Sequence, residues 1–143
     1  MILIDVNVLV YAFHDGSPDH DAYRQWLAET IESDEPFGVS DLVLSGLVRV
    51  LTHPRIFNPP VPLAEALAFA DALRSQPNAV VVAPTARHWD IFKRLAQGAG
   101  AKGGLVADAY LAALALAAGC EWITADRDFS RFPGLRWRHP LVG

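Results

Sequence analysis

Short apolar runs alternate with segments of helical period along the whole chain, and this alternation constrains the fold more than any other feature. Ile2-Leu3-Ile4 reads as a buried strand, Ala79-Val80-Val81-Val82-Ala83 is the clearest strand, and Trp122-Ile123-Thr124 is another. Val39-Ser40 reads as a strand remnant or a cap, and Leu135-Arg136-Trp137 as one more strand after the Pro133-Gly134 turn. Between these lie the helical segments. Val6–Phe13 forms a short helix, and Ser17-Pro18 opens a second one that runs to about Glu32 through Ala22, Trp26, Leu27 and Ile31. Further helices are expected around Leu42–Leu51, Leu63–Leu73, Ala86–Ala96 behind a Thr85 cap, and Leu105–Ala118, stopped by Gly119. His53–Pro62 is a proline-punctuated loop and Gly98–Gly104 a flexible connection. Strands separated by helices need crossovers, so the fold class is α/β, with a central, mostly parallel sheet of four to five short strands flanked by helices in a three-layer sandwich.

The chain has 143 residues, and residues 1–143 are expected to form one domain. Its charges are scattered too evenly for a membrane span, which needs about 20 clean apolar residues. Met1–Phe13 is apolar but carries Asp5 and no basic leader, a poor signal peptide. The lone Cys120 rules out a disulfide framework and a cysteine zinc site. A cytoplasmic protein is the resulting expectation. A formal net charge of −4 argues against gripping nucleic acid by bulk charge and leaves only local basic patches.

The informative residues are acids in apolar company. Asp5 is the only charged side chain in the first thirteen positions, and Asp108 the only one between Gly103 and Gly119. Asp126 follows a strand directly, with Asp128 two residues on. An ionised carboxylate in such a setting is costly unless it is paired, hydrogen-bonded or on a metal. The plainer alternative is that Asp126 and Asp128 are turn or cap residues. Asp108 is harder to explain away, because aspartate has poor propensity inside a helix. In a parallel sheet the carboxyl ends of the strands open into the ligand crevice, where Asp5 and Asp126 both fall. Clustered carboxylates need a compensating cation, and an all-oxygen donor set favours Mg²⁺ or Mn²⁺. Such an ion supports phosphoryl chemistry. The five histidines form no i, i+4 pair, and neither a GxxxxGK[ST] nor a GxSxG motif occurs.

Three segments carry a family resemblance: Ile4-Asp5-Val6-Asn7-Val8-Leu9-Val10-Tyr11-Ala12, Ala107-Asp108-Ala109-Tyr110-Leu111-Ala112-Ala113-Leu114-Ala115 and Thr124-Ala125-Asp126-Arg127-Asp128-Phe129. They resemble the acidic motifs of PIN domains. Ser17-Pro18-Asp19-His20, Arg49–Phe57 and Arg131–Trp137 are similar to the VapC toxins of bacterial toxin–antitoxin pairs, in the subgroup abundant in mycobacteria. The resemblance implies a PIN-like sandwich and a metal-dependent endoribonuclease that is usually dimeric and held inactive by a VapB antitoxin. It places Asp5 and Asp108 on the metal directly, with Asp126 as a third ligand or acting through a water. Asp128 becomes an outer orienting group among the catalytic acids, and Asn7 holds a carboxylate or the scissile phosphate. One departure stands out. Many PIN domains carry a glutamate in a Ser-x5-Glu pattern, and counting from Ser40 that position holds Gly46. A single Mg²⁺ is therefore the expected occupancy, with Mn²⁺ as a substitute.

Basic residues are sparse. Arg49, Arg55, Lys102 and Arg127 are the candidate RNA contacts, and Trp137 is the tryptophan that the C-terminal arginines single out. Leu42–Leu51 and Leu63–Leu73 carry more apolar residues than one core face requires, which marks a groove for an antitoxin segment. Two other functions compete with the nuclease. A catalytically weakened PIN module that mainly binds its antitoxin and autoregulates is favoured by Gly46. A phosphatase with Asp5 as nucleophile expects a second acid two residues on, where this chain has Asn7.

Overall fold

The computed structural model describes residues 1–142. In chain order the elements are β1 (Ile2–Ile4), α1 (Val6–Phe13), α2 (His20–Glu32), β2 (Phe37–Val39), α3 (Asp41–Leu51), α4 (Leu63–Arg74), β3 (Ala79–Val81), α5 (His88–Gly98), α6 (Gly104–Ala118), β4 (Glu121–Ile123), a 3₁₀ turn (Arg127–Arg131) and β5 (Trp137–Arg138). The strands form one sheet in the order β3-β2-β1-β4-β5, and every neighbouring pair is parallel. The expected α/β sandwich is therefore present, with a wholly parallel sheet.

The order of the strands decides where a site can form. The chain steps outward from β1 to β2 and β3, then returns to the other side of β1 for β4 and β5. Right-handed crossovers in opposite directions put their helices on opposite faces. The helices accordingly pack in two groups, α1 with α2 and α3, α3 with α4, and α5 with α6. Between β1 and β4 the connections diverge, and a crevice opens beyond the carboxyl ends of those two strands.

Several boundaries differ from the sequence reading for local reasons. The second helix begins at His20 rather than Pro18, because Asp19 takes a left-handed conformation (φ 56°) and interrupts the run. The fifth begins at His88, since Thr85 accepts hydrogen bonds from the backbone of Arg87 on its hydroxyl and of His88 on its carbonyl. Ala79–Ala83, expected as a strand, is reduced to Ala79–Val81 at the sheet edge, where Val80 and Val81 are exposed. The last strand starts at Trp137 because the Leu135 amide is used in a turn to the Phe132 carbonyl. Gly119 ends α6 at φ 68°, as its position predicts.

Leu3, Phe37, Trp122, Phe129, Leu47, Leu51 and Leu114 fill the core without measurable exposure beyond 1 %. Alanines at 109, 112, 113 and 115 let α6 lie close to its neighbours. No helix among the described residues is long and apolar enough to cross a membrane. Gly38, in the middle of β2, is closely packed. A β-carbon there would lie 3.0 Å from the Ile2 carbonyl oxygen and 3.0 Å from Val82 Cγ2. The carbonyl is fixed by strand pairing and cannot yield. Gly38→Val is expected to destabilise the fold by about 1–3 kcal/mol through overpacking, measured by urea unfolding; an unchanged midpoint would show that the strand relaxes.

Candidate active site

Asp5 stands where β1 ends and α1 begins, at the edge of the crevice. Its backbone amide continues the sheet by donating to the Ile123 carbonyl at 2.9 Å. Its backbone is extended, and its carboxylate caps α1, with Oδ1 accepting the Val6 N–H at 2.7 Å. The other oxygen, Oδ2, accepts the Thr124 hydroxyl at 2.7 Å. Thr124 is fully buried at the end of β4, and its hydroxyl also accepts from the Asp126 amide at 3.0 Å and from Asn7 Nδ2 at 3.4 Å. A hydroxyl has one proton to give and two lone pairs to receive. All three are in use.

Asp126 caps the 3₁₀ turn, its Oδ1 accepting the Asp128 amide at 2.9 Å, while Asp128 itself is exposed. The capping role that a strand-end aspartate usually plays is thus real for Asp126, alongside its place at the crevice. Asn7 closes the loop by accepting the Ala125 amide on Oδ1 at 3.3 Å. It braces the backbone before Asp126 and touches Thr124 rather than the Asp5 carboxylate. Asp108 lies half-buried in the second turn of α6.

These acids feel one another. Asp5 is 6 % exposed, and burial pushes its carboxyl up to about 6 against the two hydrogen bonds that hold it down; the charges of Asp108 and Asp126 add to the rise. Burial also raises Asp108, helped by Asp126 and Asp128. The ion pairs among the described residues, Arg74–Asp41, Lys93–Asp90 and Arg138–Glu121, involve none of the four. The carboxylates share a field, and among the described residues no three metal-binding side chains stand close enough together to hold an ion as they are placed. Oxygen donors of this kind fit a hard divalent ion that takes one or two carboxylates and keeps most of its water.

The basic candidates divide. Arg49 lines a cleft with Val6, Gly46 and Ala107, and Arg127 follows Asp126 directly. Lys102 is exposed just before α6. Arg55 is exposed in the loop whose Phe57 stacks on His14 at 3.9 Å, at the opposite end of α1 from Asp5. Arg136 and Arg138 line a cavity with Met1, Ile2 and Phe37, at the amino ends of the strands and away from the crevice. Trp137 is half-buried against the core. Thr124 was not singled out by the sequence reading, although a hydroxyl ending an apolar strand one residue before Ala125-Asp126 is a usable signal.

The sequence matches the PIN domain family over residues 2–135. It is 46 % identical over 143 residues to the ribonuclease VapC43 of Mycobacterium tuberculosis, covering 100 % of this chain and 97 % of that protein. The ribonuclease VapC25 of the same organism is 39 % identical over 142 residues, with 99 % and 100 % covered. Among solved structures, VapBC2 of Rickettsia felis bound to a promoter DNA fragment superposes with a TM-score of 0.69 at 20 % identity, over 97 % of this chain and 98 % of that one. VapC20 of Mycobacterium tuberculosis, a sarcin–ricin loop cleaving toxin, gives 0.66 at 21 % identity, over 95 % and 99 %.

The buried acid makes a prediction about pH. A carboxyl raised in the folded state stabilises the fold only while protonated, so its contribution is complete below about pH 4 and is lost as pH rises through about 6. The difference corresponds to about 3 kcal/mol. In EDTA, wild-type unfolding free energy should fall by about this amount between pH 4 and pH 8 more than that of Asp5→Asn. Parallel curves for the two proteins would show that Asp5 does not titrate in this window.

Proposed function

The chain belongs to the PIN-domain family, among the VapC ribonucleases, and we infer from this and from its acidic crevice that it is a metal-dependent endoribonuclease, the toxin of a type II toxin–antitoxin pair. The observation that carries the reading is Asp5. A carboxylate is held buried, beside two further acids, at the switch point of a parallel sheet and with no ion-pair partner among the described residues. The cap on α1 and the bond from Thr124 satisfy its oxygens and leave its charge unbalanced. A cation and a phosphodiester explain it.

In this reading residues 1–143 act as one PIN domain in the cytoplasm. Asp5 and Asp108 would hold Mg²⁺, for which Mn²⁺ could substitute, with Asp126 as a third ligand or acting through a water. Bound there, the ion neutralises charge on the scissile phosphate and makes a neighbouring water easier to deprotonate. Thr124 fixes the orientation of Asp5. Asp126 orients the attacking water in line with the leaving oxygen, and Asn7 holds the loop that carries Asp126 in place. Asp128 fixes Asp126 through the turn they share. Arg49, Lys102 and Arg127 meet RNA phosphates. Water, rather than the ribose 2′-hydroxyl, is the nucleophile, so the products end in a 5′-phosphate and a 3′-hydroxyl.

A VapB-type antitoxin segment is placed along α3 and α4, where Leu42, Leu63 and Leu67 are 48, 58 and 46 % exposed. A homodimer completes the assembly.

Expression of wild type and Asp5→Ala in a bacterial host, with sequencing of RNA ends, tests the reading. Growth arrest and defined 5′-phosphate ends are expected only with wild type. Thr124→Val should lower cleavage about 10–100-fold, as loss of an outer hydrogen-bond partner does at a metal site, while Thr124→Ser retains most activity. Products ending in a 2′,3′-cyclic phosphate, or cleavage undiminished in EDTA, would overturn the mechanism.

A further inference from the structure

An apolar cleft of about 650 Å³ opens between α3 and α6. Val6 and Ala107, the chain neighbours of Asp5 and Asp108, stand in its wall, which sets the cleft beside these two acids. Leu42, Val43, Val106 and Leu111 complete its apolar sides, Phe92 and Tyr110 give it two aromatic rings, and Arg49 stands at its rim. Its floor exists because position 46 is glycine. A β-carbon there would already approach Val6 Cγ2 to 3.1 Å, and any longer side chain would extend into the space.

We infer, on the footing of the nuclease reading, that this cleft seats one unstacked nucleobase of the RNA beside the scissile phosphate. A chain of net charge −4 with acids at its centre cannot hold a polyanion by its field alone. Contact with bases must supply what charge does not. Base stacking on aromatic and apolar walls does this, because every base has a π-face and its polar edges stay hydrated in an open cleft. The platform is rigid. His88, buried to 3 % exposure, donates its Nε2 proton to the Tyr110 carbonyl at 3.0 Å and packs its ring edge-on to the Tyr110 ring at 4.2 Å. Phe92 meets Tyr110 at 5.6 Å, and Trp89, 60 % exposed, continues the row outward at 5.3 Å. Arg49 at the rim, with no ion-pair partner among the described residues, suits the phosphate flanking the seated base. A base in a duplex is stacked and out of reach, so the seat takes a base from an unpaired stretch.

Single-stranded oligoribonucleotides carrying 2-aminopurine at a central position and random flanks provide the probe. Titrated with the whole protein in EDTA, they should be quenched by stacking. Val106→Trp, which fills the cleft from a position 37 % exposed, should abolish the quenching, and Tyr110→Leu should weaken binding about tenfold or more. Circular dichroism confirms that both variants fold. With Mg²⁺ present, wild type should cut an oligonucleotide abasic at the seated position at least about tenfold more slowly than the intact one, and Val106→Trp should cut both equally. Quenching without any cleavage by wild type would sink the nuclease reading and leave the base seat standing. Absence of quenching in wild type would overturn the seat even if RNA is cut. Quenching that survives in Val106→Trp while antitoxin binding is lost would assign the cleft to the protein partner instead, and overturn it equally.

Discussion

Everything at the carboxyl edge of the sheet hangs on the hydrogen bond from the Thr124 hydroxyl to Asp5. The bond spans two strands that are neighbours in space and 119 positions apart in sequence. It satisfies a carboxylate that the core has almost enclosed. The same oxygen accepts the Asp126 amide and the Asn7 amide group. One atom therefore sets the orientation of the first acid, the path of the loop carrying the third, and the brace between them. Buried polar groups cost little only when every bond is made. Here each of the three is.

What that network does not supply is charge balance. Arginine and lysine side chains form pairs elsewhere on the surface, at Asp41, Asp90 and Glu121, while the four acids near the crevice are left without such partners. Surface pairs of that kind contribute little. The unneutralised acids work against folding, and they are placed where the sheet's own geometry gathers ligands. Stability given up at one place in a structure is a signature of function rather than of architecture.

The architecture was legible because burial imposes period and length on a sequence. The apolar runs at Ile2-Leu3-Ile4 and Trp122-Ile123 mark the two strands that frame the crevice, and Gly119 marks the end of α6. Asp5 and Asp108 stood out because charge is rare in such surroundings. Other features depend on contacts that local pattern does not encode. The left-handed Asp19 and the turn at Thr85 moved helix starts by a few residues. Strand order decided that Val80 and Val81 lie at an edge. Arg55 looked like a partner of Arg49 in sequence, yet the stacking of Phe57 on His14 carries its loop to the far end of α1. Thr124 was visible only as a polar residue in a strand until the sheet brought it against Asp5. The side-by-side placement of Trp89, Phe92 and Tyr110 likewise needed the packing of α5 on α6.

The contact between Gly46 and Val6 ties the open position in α3 to the nearest acid. A side chain at position 46 would put its first carbon 3.1 Å from Val6 Cγ2, so this β-branched neighbour must give by a few tenths of an ångström to admit it. Val6 is also the residue whose amide holds Asp5. A fourth carboxylate at position 46 would therefore press on Asp5 twice, through charge and through the packing of Val6.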